Sequence, residues 1–314
     1  MIFVQFLLLA LGFAMLIKGA DWFVSGAAGI ATRFGIPQIV IGLTIVAMGT
    51  SAPEAAVSIS SSLAHNADIT IGNIVGSNIL NILIILGITA TMVPIAVARG
   101  TIKVEIPFMI AITVVLLLLG LDGNINFVDA LILIGLFAVY MIYLFRQAKV
   151  GMNGGNNTPE EEHHRKPKKV PLLILLTAVG VVIIVFGSQI TVDAATKIAT
   201  FFGASERFIG LTVVALGTSL PELFTSVTAA KKGNADIAIG NIVGSNIFNI
   251  LFIVGISGLI TNIPFASPFI IDTIISIGVS VLLWVFCLIS KGLRRYAGII
   301  FLAGYAAYFI YLLR

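Results

Sequence analysis

The sequence predicts an all-α integral membrane protein with ten transmembrane helices, built as two inverted five-helix repeats. Of its 314 residues, 59% are hydrophobic and only 10% charged, at a mean hydropathy of +1.11, whereas a soluble domain carries roughly 25% charged residues. The apolar residues fall in continuous runs long enough for membrane helices, which need about 20 residues each. A long block of sequence also returns in the second half of the chain. This composition excludes a soluble enzyme, a disordered tail protein and a disulfide scaffold. Continuous runs argue against an outer-membrane barrel, whose strands would alternate over about 10 residues. The pI of 9.2 does not point to nucleic acid, because the cations are scattered between apolar runs and form no basic face. The start, Met1 to Gln5, lacks the basic region of a cleavable signal peptide. Cys287 stands alone inside an apolar run, so it forms no intrachain disulfide and is expected to pack.

In chain order the spans are read near 2–17, 37–63, 69–95, 104–121 and 126–145, then 170–190, 208–230, 237–262, 268–289 and 296–313. Backbone groups in lipid must be satisfied within the segment, so runs of this length are helical. With the N-terminus outside, the inner connections hold 15 Lys and Arg, including Lys18, Arg33 and the cluster from Arg165 to Lys169. The outer side holds 3, namely Lys197, Arg207 and Arg314. The positive-inside rule then predicts a multi-pass plasma-membrane protein with both termini outside. Residues 1–148 form the first repeat, 149–169 a cytoplasmic linker and 170–314 the second repeat. The linker's Glu160–Glu162 run and its His163–His164 pair read as a solvated loop rather than a metal site.

The repeated blocks are 41–87 and 209–255, identical at about 30 of 47 aligned positions. IGLTIVAMGTSAPE at 41–54 returns as IGLTVVALGTSLPE at 209–222, and NADITIGNIVGSNILNIL at 66–83 as NADIAIGNIVGSNIFNIL at 234–251. Each half has an odd number of spans, so the second copy enters the bilayer from the opposite face. Inverted repeats of this kind mark secondary transporters, with substrate sites near the midplane where interrupted helices meet.

Glu54 and Glu222 lie well inside apolar runs, where a carboxylate costs roughly 2.5 to 3.5 kcal/mol on insertion scales. Each follows a proline, Pro53 or Pro221, whose ring clashes with the carbonyl of Gly49 or Gly217 and should break the helix. Carbonyls freed at membrane depth are tolerated only where they line a cavity or meet protein. Thr50, Ser51 and Ser58 surround one break; Thr218, Ser219 and Ser226 surround the other. In the next helix Asn73, Ser77 and Asn81 recur every four residues on one face, as do Asn241, Ser245 and Asn249. Gly72 with Gly76, and Gly240 with Gly244, let that face approach its neighbour.

Pooled, these groups offer two carboxylates with hydroxyl, amide and carbonyl oxygens, but no thiol or imidazole. That is a site for a hard cation such as calcium, which takes about 6 to 8 oxygens, or sodium, and not for zinc, copper or iron. No basic residue lies deep in a span to pair with the glutamates. Packing remains the alternative for Ser58 and Ser226, and helix-to-helix bonding for Asn81 and Asn249. Asp68 and Asp236 read as helix caps, Glu105, Asp129 and Asp272 as interfacial, and Trp22 and Trp284 as interface anchors.

GTSAPE with GNIVGSNILN, and GTSLPE with GNIVGSNIFN, resemble the two alpha-repeats of the sodium/calcium exchanger family, prokaryotic type. The resemblance implies that Glu54 and Glu222 bind calcium directly. It implies that Thr50, Ser51, Thr218, Ser219, Ser77, Ser245 and the carbonyls of Ala47 and Ala215 hold sodium, with Asn81 and Asn249 at the remaining central positions. Some relatives carry Asp where this chain has Asn249. The implied activity is exchange of sodium for calcium by alternating access, with no cofactor and no enzymatic chemistry. Its expected partners are the two ions and the lipid bilayer, with no nucleic acid and no obligate protein. A proton/calcium antiporter and a cation channel are the competing readings.

Overall fold

The computed structural model describes residues 2–64, 67–154, 169–203 and 215–312. The first helix, α1, spans Ile2–Phe34. It is followed by α2 (Gln38–Thr50) and α3 (Ala52–Leu63), which meet at a 52° bend, and by α4 (Ile69–Met92), α5 (Thr101–Asp122) and α6 (Phe127–Met152). Then come α7 (Val170–Phe201), α8 (Ala215–Thr218), α9 (Leu220–Lys231), α10 (Ala235–Ile260), α11 (Ser267–Ser290) and α12 (Arg295–Leu312). Among the described residues, 8 helices are long and apolar enough to cross a membrane, or 9 with the bent pair as one span. Positions 208–214 of the seventh expected span lie outside the described residues, as do Arg207, Arg314, the linker's Glu160–Glu162, His163 and His164, and Arg165, Lys166 and Lys168.

The break at Pro53 follows from its missing N–H. The helix ends at Thr50, Ser51 turns at φ −80° and ψ 11°, and α3 restarts with Pro53 in its first turn, the place where a proline is tolerated. The expected boundaries fail at α1 and α7. The chain stays helical for 33 and 32 residues there, about 50 Å of helix at 1.5 Å per residue. Hydropathy marks where a chain leaves lipid, whereas a helix ends only where its backbone bonding ends. In α1 that happens at Gly35 (φ 65°) and Pro37. Lys18 and Lys197, expected in loops, therefore sit exposed on helices, where a long stem carries its ammonium toward water.

Gly12, Gly19 and Gly26 recur every seventh residue along α1 and seat it on α7. A Cβ added at each would come within 3.0 Å of the Gly187 carbonyl, 3.0 Å of the Gly180 carbonyl and 2.8 Å of the Leu173 carbonyl. Numbers rise along one helix as they fall along the other, so α1 and α7 run antiparallel. Against α10, by contrast, α2 runs parallel: Gly42 meets Gly240, and Leu43 and Ala47 meet Gly244. Small residues bring these backbones together and leave α10 the most enclosed span, 94% of its most apolar window being buried.

Elements recur with the sequence repeat. A wider π turn at Asn81–Leu86 returns at Asn249–Val254. The two-residue strand β1 (Ile95–Ala96) pairs antiparallel with β4 (Gly292–Leu293), and β2 (Asn124–Ile125) with β3 (Ile263–Pro264). Each half thus supplies one strand to each pair, in matching register.

Candidate cation-binding centre

The bends carry the two glutamates into one buried centre. Glu54 and Glu222 sit in the first turns of α3 and α9, each 1% exposed. Hydroxyls cross between the copies: Ser51 Oγ donates to Glu222 Oε1 at 2.9 Å, and Ser219 Oγ to Glu54 Oε1 at 3.4 Å. The backbone at each bend is held the same way. Asn73 Nδ2 donates to the Glu54 carbonyl at 3.4 Å and to Ser58 Oγ at 3.0 Å; Asn241 Nδ2 donates to the Glu222 carbonyl at 3.3 Å and to Ser226 Oγ at 2.9 Å. Asn241 Oδ1 then accepts from Thr50 Oγ1 at 2.9 Å. These bonds use the polar atoms of Asn241, so it serves as a brace.

Two asparagines that the four-residue stripe passes over complete the centre. Asn78 and Asn246 each donate to the other's backbone carbonyl at 3.2 Å. Their side-chain oxygens accept from Asn249 Nδ2 at 3.0 Å and Asn81 Nδ2 at 2.9 Å. This fixes all four amide orientations, because an amide whose nitrogen is donating must present its oxygen as the acceptor. Asn81 and Asn249 are consequently turned with Oδ1 free. Their signal in the sequence is recurrence: an amide beside Ser77 and Ser245, inside an apolar run, identical in both copies.

Four buried oxygens lack a hydrogen-bond partner here: Glu54 Oε2, Glu222 Oε2, Asn81 Oδ1 and Asn249 Oδ1. Buried polar atoms are rarely left so. Two are anionic, all four are acceptors, and none can be satisfied by its neighbours, which is the donor set of a hard cation. The remaining expected residues lie around them. Ser77 and Ser245 are buried on α4 and α10, and Ser245 Oγ donates to the Ala47 carbonyl at 3.4 Å. That carbonyl is not freed by the bend, since it also accepts the Ser51 N–H at 3.0 Å. Thr218 is half-buried at the end of α8, the helix that Ala215 begins.

Residues 4–146 and 172–314 match the family described as sodium/calcium exchanger protein. The chain belongs to this family. Its exchanger relatives include sodium/calcium exchanger MaX1 of Methanosarcina acetivorans, 35% identical with 99% of each chain covered. Putative antiporter CaxA of Alkalimonas amylolytica is 40% identical over 79% of this chain and 78% of its own. Among solved structures, the sodium-calcium exchanger NCX_Mj superposes with a TM-score of 0.85 at 33% identity, covering 100% of both chains. The chain is thus a multi-pass membrane protein of a transporter family.

Several acidic and aromatic positions expected at exchanger span ends lie elsewhere. Glu105 is 2% exposed rather than interfacial, because α6 covers it with Tyr143 and Gln147. Asp129 is buried in a capping box: its Oδ2 accepts the Asn126 N–H at 2.9 Å while Asn126 Oδ1 accepts from Val128 and Asp129. Asp272 is half-buried and accepts from Tyr308 Oη at 3.2 Å. Asp236 makes no capping bond; Asn234 occupies the N-cap position, and Asp236 lies one residue too far into the helix. Asp68 opens its helix, and its side chain lies outside the described residues. Trp284 donates to the Ile102 carbonyl at 2.8 Å, tying α11 to α5, whereas Trp22 is exposed at 38%. Cys287 is fully buried, as a packing residue would be.

Proposed function

We propose that the chain exchanges sodium for calcium by alternating access at a site built from Glu54 and Glu222. The observation that carries this is the set of four unpartnered buried oxygens, two from each copy, gathered around reciprocal Ser–Glu bonds. Calcium contacts both glutamates and the Asn81 and Asn249 amides; Thr50, Ser51, Ser77, Thr218, Ser219, Ser245 and the Ala47 and Ala215 carbonyls supply the sodium positions. The relatives' names favour these two ions.

Exchange follows from charge. The two empty carboxylates total −2 and cannot cross a dehydrated barrier cheaply, whereas one calcium or two sodium ions neutralise them. Loaded forms therefore switch while the empty form stalls. Ten spans form two inverted repeats, 1–148 and 170–314, joined by a cytoplasmic linker at 149–169, with both termini outside. The antiparallel run of α1 against α7, and of α4 against α10 implied by the parallel α2 and α10, supports this inversion.

The test is uptake of radioactive calcium by proteoliposomes preloaded with sodium, potassium or choline. Sodium alone drives uptake under this reading. Uptake driven by a pH step without sodium assigns proton exchange instead, and flux with no counter-ion assigns a channel.

A further inference from the structure

A second buried carboxylate lies outside the transport centre, on the side from which the linker leaves. Glu105 closes a π turn, Thr101–Glu105, at the start of α5. Its Oε1 accepts from Tyr143 Oη at 2.7 Å and Gln147 Nε2 at 3.2 Å, and Tyr143 also contacts Gln147. Tyr140, one turn before Tyr143, stacks on Phe108, with ring centroids 5.3 Å apart. The packing is rigid and close, yet it leaves oxygens over. Glu105 Oε2, the Tyr140 hydroxyl and the Thr101 hydroxyl are all buried without a partner among the described residues; these residues are 2%, 4% and 1% exposed. Asp236, half-buried in the first turn of α10, lies within electrostatic range of Glu105. The one ion pair among the described residues joins Lys232 to Asp21, so no cation neutralises either acid. Lys103, beside Glu105 in sequence, points to the exposed surface.

We propose that Glu105 and Asp236, with the hydroxyls of Tyr140 and Thr101, bind a calcium ion separate from the transported one. Two carboxylates match a divalent charge, the neutral oxygens match a hard cation, and half-buried Asp236 gives the ion its approach from water. The pocket has no equivalent in the other repeat, where Thr273 stands in the place of Glu105, so the site senses calcium on one face of the membrane only.

Equilibrium calcium binding to purified full-length protein tests this, in a Glu54→Gln/Glu222→Gln background that empties the transport centre. One calcium per chain should remain, and adding Glu105→Gln should abolish it. Asp236→Asn, at a half-exposed position, should weaken it about 10- to 100-fold and keeps the test decisive if Glu105→Gln does not fold. Absence of calcium from the folded double variant overturns the proposal, as would be found if Glu105 is simply protonated. Calcium whose affinity is untouched by both substitutions also overturns it. Failure of the transport reading is seen separately, as calcium uptake that survives in Glu54→Gln or Glu222→Gln.

Discussion

At the centre of the molecule each bond has a mate in the other copy: Ser51 to Glu222 with Ser219 to Glu54, Asn73 to Ser58 with Asn241 to Ser226, Asn81 to Asn246 with Asn249 to Asn78. Toward the membrane faces the mates disappear. Glu105 corresponds to Thr273, and the Lys232–Asp21 ion pair, 2.7 Å long, corresponds to Ala64 and Gln189. The difference separates two demands on a duplicated chain. A single ion gripped from both copies keeps their chemistry the same, while the two faces of a membrane meet different solutions and free the ends to diverge.

The largest effect expected from breaking this symmetry is at the glutamates. Glu54→Gln and Glu222→Gln should each abolish sodium-driven calcium uptake in vesicles, and one of them left at the wild-type rate would show that the copies do not share an ion. Next come the asparagines that aim the free amides. Asn78→Ala and Asn246→Ala should each weaken calcium binding about 10- to 100-fold, the usual effect of losing a residue that orients a ligand. Because the two asparagines brace each other, titrations of both variants should give similar affinities; an effect confined to one would break the reciprocity.

Smaller effects lie away from the centre. Gly180→Ala pushes a Cβ to 2.6 Å from the Phe23 nitrogen and should destabilise the α1–α7 contact by about 1 to 3 kcal/mol. Gly278→Ala, where nothing lies within 4 Å, is its control, and thermal unfolding in detergent separates them. The smallest change is expected for Lys232→Gln, since a partly exposed ion pair contributes less than about 1 kcal/mol. An unfolding shift as large as that of Gly180→Ala would make this clip a main support of the fold.

Much of the centre is legible in the sequence because its signals are local and duplicated. A glutamate in an apolar run after a proline announces both a bend and a buried charge, and the same phrase occurs twice. Asn78 and Asn246 escape because their meaning lies in contacts between copies, which the periodicity of one helix cannot display. Glu105 reads as interfacial from its place near a span end, and only the covering residues Tyr143 and Gln147, roughly 40 positions on in sequence, bury it. Hydropathy cut α1 short at Lys18, since a single exposed lysine interrupts an apolar run without interrupting a helix. The equivalence of the two halves was readable throughout, from the sequence blocks to the paired strands.

The most direct test is diffraction from crystals soaked in strontium, a heavier stand-in for calcium, with its anomalous signal located on the refined chain. A single peak between the Glu54 and Glu222 carboxylates, in contact with both and with the Asn81 and Asn249 side-chain oxygens, is the expected result. A peak that touches only one of the glutamates, or none in that cavity under saturating strontium, would contradict a shared ion.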